Sequence, residues 1–252
     1  VKALKQKIAS ANKKYLPQAG AYYSITLRDQ NNQLIKSKQV KFTINSKTYS
    51  VKTNSKGIAK FKINLVTPKV YKLKIYSPKT SQYVAISKTN NITIEKGTPS
   101  LTSYDRTFAN GTDGEYSVYL KDYAGKALSN GKISFILNST TYSASTDSKG
   151  MAKFIVNLTE AKNYPLTVKF MGDVKNKAIS KSHTITIKEG ENIAFVDAKL
   201  PNDEIQKIID SCSNGNTVEF LGESYGNINL SVNKELNLIS NVGTKVDRKS
   251  VV

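Results

Sequence analysis

Few side chains in this 252-residue chain have the type and spacing to do chemistry. His183 is the one histidine, and a histidine works as a general base only beside a nucleophile; nothing in the sequence pairs with it visibly, so it reads as a surface residue. Cys212, the one cysteine, falls on the apolar side of a helix-like stretch and reads as a buried structural thiol, not a reactive one. A lone cysteine forms no internal disulfide, and one Cys with one His leaves no Cys/His cluster of metal-ligand spacing, which excludes zinc, iron–sulfur and disulfide scaffolds. Asp29 and Asp122 stand at equivalent places after an alternating strand. A buried acid there could assist a Lys–Asn isopeptide cross-link, but capping of a turn is the reading favoured. Asp147 invites comparison with a calcium or ligand site, yet its counterpart is neutral Asn54, so a turn is again favoured. Five Asn-x-Ser/Thr sequons, at Asn91, Asn110, Asn138, Asn157 and Asn229, are about as many as composition alone produces. Asn110 and Asn138 are expected in exposed turns, open to glycosylation in an exported protein. No catalytic, cofactor-binding or metal-binding residue is expected, and no cofactor.

The elements that carry these residues come in two copies. Residues 23–97 lie over 116–190 without a gap at a constant offset of 93, with 30 of 75 positions identical. A unit of this length exceeds the roughly 20–50 residues of solenoid repeats, so each copy is expected to be a whole domain with its own core. Within each copy the apolar period is two: Val40, Phe42 and Ile44, then Phe61, Ile63 and Leu65, then Tyr71, Leu73 and Ile75, and their counterparts 93 positions on. No stretch in either copy carries the spacing of a surface helix, and turn signals recur at Asp29–Asn32, Asn54–Gly57, Asp122–Gly125 and Asp147–Gly150. The pattern predicts antiparallel β-sandwiches. In the Asn/Asp-Ser-Lys-Gly element, Asn54 or Asp147 caps a type I turn and Gly57 or Gly150 supplies a positive φ, so a tight hairpin is expected there. Tyr71 and Tyr164 head a strand late in their copies, where a tyrosine corner bonds its hydroxyl to preceding backbone. Lys38 stands where the second copy has Gly131, so that turn need not match.

The succession of a Leu-x-Asp motif, Gly131-Lys132-Ile133-Ser134-Phe135, Thr146-Asp147-Ser148-Lys149-Gly150-Met151-Ala152-Lys153-Phe154 and Tyr164-Pro165-Leu166-Thr167-Val168 resembles bacterial immunoglobulin-like repeats of the invasin and intimin type. It is similar, more closely, to the Lys- and Tyr-rich repeats of adhesin-like surface proteins from methanogenic archaea. The resemblance implies stalk or adhesion modules outside the cell, often beside a parallel β-helix, and implies no reaction.

After Gly190 the pattern changes. Asn202 offers an N-cap, and Ile205, Ile208, Ile209 and Cys212 share a helical face before Gly215. Short apolar runs follow at 217–221, 228–232 and 236–239. This looks like a capping helix and the truncated first coils of a right-handed parallel β-helix, marginal alone because a solenoid needs about three stacked coils for stability. The organisation read from the sequence is therefore all-β: residues 1–10 a tail of a preceding module or linker, 11–97 and 98–190 two immunoglobulin-like sandwiches, 191–246 the start of a β-helix, and 247–252 a non-native tail on a piece of a larger protein.

Charge separates the copies. The net formal charge is +18 over residues 1–97, +4 over 98–190 and −3 over 191–252. Two copies of one fold with so different a charge carry it as a surface property. Outward lysines keep strands from pairing edge to edge, or attract an anionic cell-wall polymer or glycan. Only Arg28, Arg106 and Arg248 are arginines, which argues against specific nucleic-acid recognition. No run is apolar and long enough to insert in a membrane, and no partner protein is indicated. The function expected is a non-enzymatic, extracellular adhesin-like fragment, at the cell surface or wall. The rivals are accessory domains of a glycan-active β-helix enzyme and a Lys-rich polyanion-binding module.

Overall fold

The computed structural model describes residues 2–225 and 228–240. The tail at 247–252 and the end of the 191–246 segment lie outside them. The chain divides into two compact units, Val1–Gly97 with Asp173–Lys177, and Thr98–Gly172 with Ala178–Val252.

The first unit is built from β1 (Gln6–Ala9), β2 (Lys13–Tyr15), β3 (Tyr22–Asp29), β4 (Gln39–Ile44), β5 (Lys47–Lys52), β6 (Ile58–Lys62), β7 (Val70–Ser77) and β8 (Ile86–Ile94). A three-stranded sheet, β1-β3-β6, faces a five-stranded one, β2-β8-β7-β4-β5. The period-two pattern does what it predicts: Tyr23, Ile25 and Leu27 from one sheet meet Val40, Phe42, Leu73 and Ile75 from the other in a single core. Every pairing is antiparallel except β2 with β8, because the first strand leaves β3 after Ala9 and re-enters the opposite sheet at Lys13. This is the strand order of an immunoglobulin-like sandwich. It also corrects the expectation of a tail over 1–10. Gln6–Ala9 is the first strand of the sandwich, and Ile8 lies in its core.

The second unit repeats the scheme. Its strands are β9 (Ser100–Thr102), β10 (Arg106–Ala109), β11 (Gly114–Lys121), β12 (Lys132–Leu137), β13 (Thr140–Ser145), β14 (Met151–Val156), β15 (Asn163–Phe170) and β16 (Ile179–Lys188), in sheets β14-β11-β9 and β10-β16-β15-β12-β13. Both tyrosine corners form: the Tyr71 hydroxyl donates to the Thr67 carbonyl at 2.9 Å and that of Tyr164 to Glu160 at 3.0 Å.

Two turn readings change. The Asn54 and Asp147 turns close as expected, Oδ1 of each accepting two backbone N–H groups at 2.8–3.0 Å. However, they join β5 to β6 and β13 to β14, strands of opposite sheets, so they are corners of the sandwich and not hairpins. The hairpins are one turn earlier. Asn45-Ser46 and Asn138-Ser139 place both residues at φ between 48° and 64°, the geometry of a two-residue type I′ loop, between β4 and β5 and between β12 and β13. The Lys38/Gly131 turn is the same in both copies. The positive φ falls one residue earlier, at Ser37 and Asn130, and the N–H of Lys38 or Gly131 donates to the Thr53 or Thr146 hydroxyl.

Beyond the sandwich the second unit continues into β17 (Ile193–Val196), α1 (Asn202–Ser211), β18 (Thr217–Phe220) and β19 (Asn237–Ser240). The three strands form one parallel sheet, Thr217 opposite Ile193 and Asn237 opposite Thr217. Ile205, Ile208, Ile209 and Cys212 pack on Val196, Val218 and Phe220 in a third core. Pro201, not Asn202, is the N-cap, its carbonyl accepting the N–H groups of Glu204 and Ile205 at 3.0 Å. The run at 228–232 forms no strand; Ile228 and Leu230 instead fill against this core while the chain returns for the next parallel strand.

Candidate functional site

His183 is not the isolated surface residue that the sequence implies. Its Nε2 is 2.7 Å from Ser103 Oγ and its Nδ1 3.2 Å from Asp105 Oδ1, the connectivity of a Ser-His-Asp triad. The surroundings do not suit a triad. Ser103 is buried, where a nucleophile must meet substrate, and the Asp105 side chain, which a triad would bury, is 59% exposed. The first copy supplies the explanation. Ser10, Asn12 and Asn90 occupy the same three places, with Ser10 Oγ donating to Asn90 Oδ1 at 2.7 Å and Asn90 Nδ2 reaching Asn12 Oδ1 at 3.4 Å. Asn12 Oδ1 accepts the Asn91 N–H, as Asp105 Oδ1 accepts that of Thr184. In both copies the cluster ties the point where the first strand changes sheets to the last strand. A buried tyrosine, Tyr23 or Tyr116, bonds the carbonyl of the residue between, Ala11 or Tyr104, at 2.7 Å. Asparagine cannot act as a base, so what the two copies share is a structural tie, in which the second copy carries triad-like side chains. His183→Asn, which installs the first copy's residue, is expected to change stability by less than about 1 kcal/mol, whereas His183→Leu takes one of its polar partners from the buried Ser103 hydroxyl and leaves it only the Tyr116 hydroxyl, at a cost of about 1–2 kcal/mol. Denaturant unfolding of the two variants compares these costs.

The densest polar cluster among the described residues belongs to the second copy alone. All four residues of β10 are buried, while Lys13 and Lys14 of the equivalent β2 are exposed. The cover is the appended segment, with β17 packed beside β10. Asp197, just after β17, accepts the Thr107 N–H at 2.8 Å and the Thr107 hydroxyl at 2.7 Å. Glu204, in the first turn of α1, accepts Lys207 Nζ at 2.6 Å, the Tyr119 hydroxyl at 3.0 Å and Ser117 Oγ at 3.3 Å, and lies 3.9 Å from Arg106 Nη1. Its side chain is 4% exposed. Arg106 is buried with its guanidinium 5.2 Å from the Phe108 ring, and its Nε has no hydrogen-bond partner. A cavity of about 330 Å³ adjoins the cluster. The first copy has Lys13, Lys14 and Thr26 where these residues are Arg106, Thr107 and Tyr119. The arrangement is that of a joint: an edge strand with one N–H taken by a carboxylate, locked by a buried ion pair.

Burial pushes the Asp197 carboxyl above the ordinary aspartate range, against the opposing pull of the Thr107 bonds and the Arg106 charge. The folded chain then holds this proton more tightly than the unfolded one. The stability this adds is full below the ordinary aspartate value and is lost as pH rises through the raised one. Asp197→Asn removes the titration, so the melting-temperature difference between variant and parent is expected to move in the variant's favour from about pH 3.5 to 7. Thermal melts across that range measure it.

The remaining candidates fall where turns and cores place them. Asp29 and Asp122 each accept two backbone N–H groups at 2.8–2.9 Å, which is turn capping. Cys212 is buried, its thiol donating to the Ile208 carbonyl and its pKa pushed up by burial. Asn138 is exposed at its hairpin tip, and Asn110 is half-buried. No cluster of three or more His, Cys, Asp or Glu able to hold a metal occurs among the described residues, and no helix among them is long and apolar enough to cross a membrane.

These features define a tandem of immunoglobulin-like β-sandwiches, the second joined to a parallel-stranded appendage. No family model matches the chain, and no curated protein matches it. Solved structures similar to it include invasin, a bacterial integrin-binding protein, at 16% identity and a TM-score of 0.41 over 75% of this chain and 40% of that one. Others are titin domains A168–A170, at 11% identity and 0.46 over 77% and 70%, and the D0–D1 domain of intimin, at 16% and 0.29 over 71% and 97%.

Proposed function

We propose that the chain is part of a non-enzymatic, adhesin-like cell-surface protein of archaeal origin. Its two sandwiches serve as stalk or adhesion modules in series, and the segment from 191 opens a parallel β-helix. The observation that carries this reading is the pair of equivalent ties, Ser10–Asn90–Asn12 and Ser103–His183–Asp105. What the duplication preserved is a mechanical link between the first and last strands, while the chemistry of its side chains drifted. The parallel register of β18 on β17 and of β19 on β18 supports the start of a solenoid, and the buried Arg106–Glu204 joint supports a stiff passage from sandwich to solenoid. Single-molecule pulling on the full chain tests the stalk reading. Each sandwich is expected to yield in a separate event, releasing roughly 300 Å of extended chain. Extension without resistance, or one merged event, would overturn it.

A further inference from the structure

The first unit holds a groove of about 280 Å³ at one end of its sandwich. Its floor is Phe61 and Tyr71. One wall is the β4–β5 hairpin with Asn45, Lys47 and Tyr49, and the other is Lys62 with the loop at Asn64–Thr67. Tyr49 leans on Phe61, ring centroids 4.8 Å apart, and is 43% exposed. Lys69 Nζ stands 4.8 Å from the Tyr71 ring centroid, beside the same loop. The residues 1–97 contain only two acids, and both are engaged elsewhere: Asp29 in its turn, Glu95 with Lys14. No carboxylate among the described residues pairs with Lys47, Lys62 or Lys69.

The second copy provides the contrast on the same scaffold. Tyr142, Phe154 and Tyr164 repeat the aromatic residues, but Thr140 and Ile155 replace Lys47 and Lys62. Lys162, the counterpart of Lys69, is neutralised by Glu160, which stands where the first copy has Thr67. The cationic groove is thus a local difference between two otherwise matching ends, beyond the diffuse excess of lysine.

We propose that this groove binds one or two residues of an acidic oligosaccharide, a sugar ring against Tyr49 with its carboxylate or sulfate turned to Lys47, Lys62 and Lys69. The volume is at the low end of small-ligand sites and suits a sugar better than a folded partner. A single exposed aromatic and no arginine do not match the stacking track of a single-stranded nucleic-acid groove. The inference rests on the surface-module reading, in which a glycan is what such a module meets.

Calorimetric titration of the full chain with an oligogalacturonide and with a heparin-derived hexasaccharide is the test, with a neutral glucan and an oligothymidine as controls. Binding of at least one acidic sugar is expected, weakening as salt rises from about 0.05 to 0.5 M. The double variant Lys47→Thr/Lys62→Ile, which installs the second copy's residues, is expected to lose about tenfold in affinity, and Tyr49→Ala severalfold. Lys36→Thr/Lys56→Thr, an equal loss of charge in exposed turns, is expected to lose much less. Equal losses in the two double variants, or binding indifferent to Tyr49, would overturn the groove and leave the surface-module reading standing. Oligothymidine bound through the same lysines with both acidic sugars silent would overturn it in favour of nucleic acid. No binding to any of them would overturn it too, and the pulling experiment would then decide the module reading separately.

Discussion

Glu204→Ala is expected to cost the second unit about 3–5 kcal/mol, a large fraction of what holds a domain of this size folded. The carboxylate is buried and gathers Lys207, Tyr119 and Ser117 within 3.3 Å, with Arg106 at 3.9 Å. Removing it leaves the buried Arg106 guanidinium, already short of one partner at Nε, with Asp197 as its one nearby carboxylate from the appended segment. The expense comes from the orphaned charge and not from the pair's own attraction, since a buried ion pair roughly balances its attraction against lost hydration. That distinction is measurable. Arg106→Met combined with Glu204→Leu removes both charges and is expected to recover most of the loss, giving a coupling energy of at least about 2 kcal/mol in a double-mutant cycle. Denaturant unfolding followed by circular dichroism supplies the energies. Hydrogen exchange at the β10 and α1 amides shows whether the damage is confined to the joint, with the first unit as internal reference. A cost below about 1 kcal/mol for Glu204→Ala would mean that the cluster is solvated and locks nothing.

The parts of this molecule that the sequence discloses are those whose causes are local. Period-two alternation marks Val40, Phe42 and Ile44 as one face because successive side chains of a strand point oppositely. The Asn54 and Asp147 turns, and the Tyr71 and Tyr164 corners, are bonds between residues at most four apart. Local signals fail where the answer depends on which sheet a strand joins. Asn45-Ser46 and Asn54-Ser55-Lys56-Gly57 both read as reversals, and only the packing of β5 and β6 in opposite sheets makes the first a hairpin and the second a corner. The polar clusters were hidden for a related reason. Ser103 and His183 are 80 positions apart, Thr107 and Asp197 are 90 apart, and Ser117 and Glu204 are 87 apart, so no spacing rule brings them together. One signal was available. The offset of 93 extends upstream of Tyr23 to set Ser10 and Asn12 under Ser103 and Asp105, and within the repeat it sets Asn90 under His183: a serine kept and two polar positions that change together. The joint left a fainter mark, an arginine at 106 over a lysine at 13 in a chain that otherwise uses lysine for nearly every positive charge.

The corners that carry the chain between sheets make the second large expectation. Gly150 has φ +77°, and a Cβ added to it would come within 2.4 Å of the Leu120 carbonyl oxygen, with the Leu128 nitrogen at 3.3 Å. Its own carbonyl accepts the Leu120 N–H at 2.8 Å, so the corner cannot retreat from β11 without giving up that bond. Gly150→Ala is therefore expected to cost about 3 kcal/mol or more: about 1–2 kcal/mol for a left-handed backbone on an L-residue, and the remainder for forcing β11 and β14 apart. Gly57, the same corner in the first copy, has φ +67° and would bring its Cβ to 3.0 Å from the Leu27 oxygen, a contact that small shifts relieve. Alanine there is expected to cost about 2 kcal/mol. Gly125 is the reference in which both terms are small. It has φ +80° with nothing within 4 Å of an added Cβ, and the first copy already places Asn32 at φ 66° in that position. Gly125→Asn is expected to cost less than about 1 kcal/mol, because asparagine tolerates the left-handed region and meets no neighbour. Denaturant midpoints for the three variants should rank Gly150→Ala as the most damaging, Gly57→Ala next and Gly125→Asn least. If Gly150→Ala proved no more costly than Gly57→Ala, backbone preference alone would account for both, and the closer approach of the second corner to Leu120 would contribute nothing to closing the sandwich.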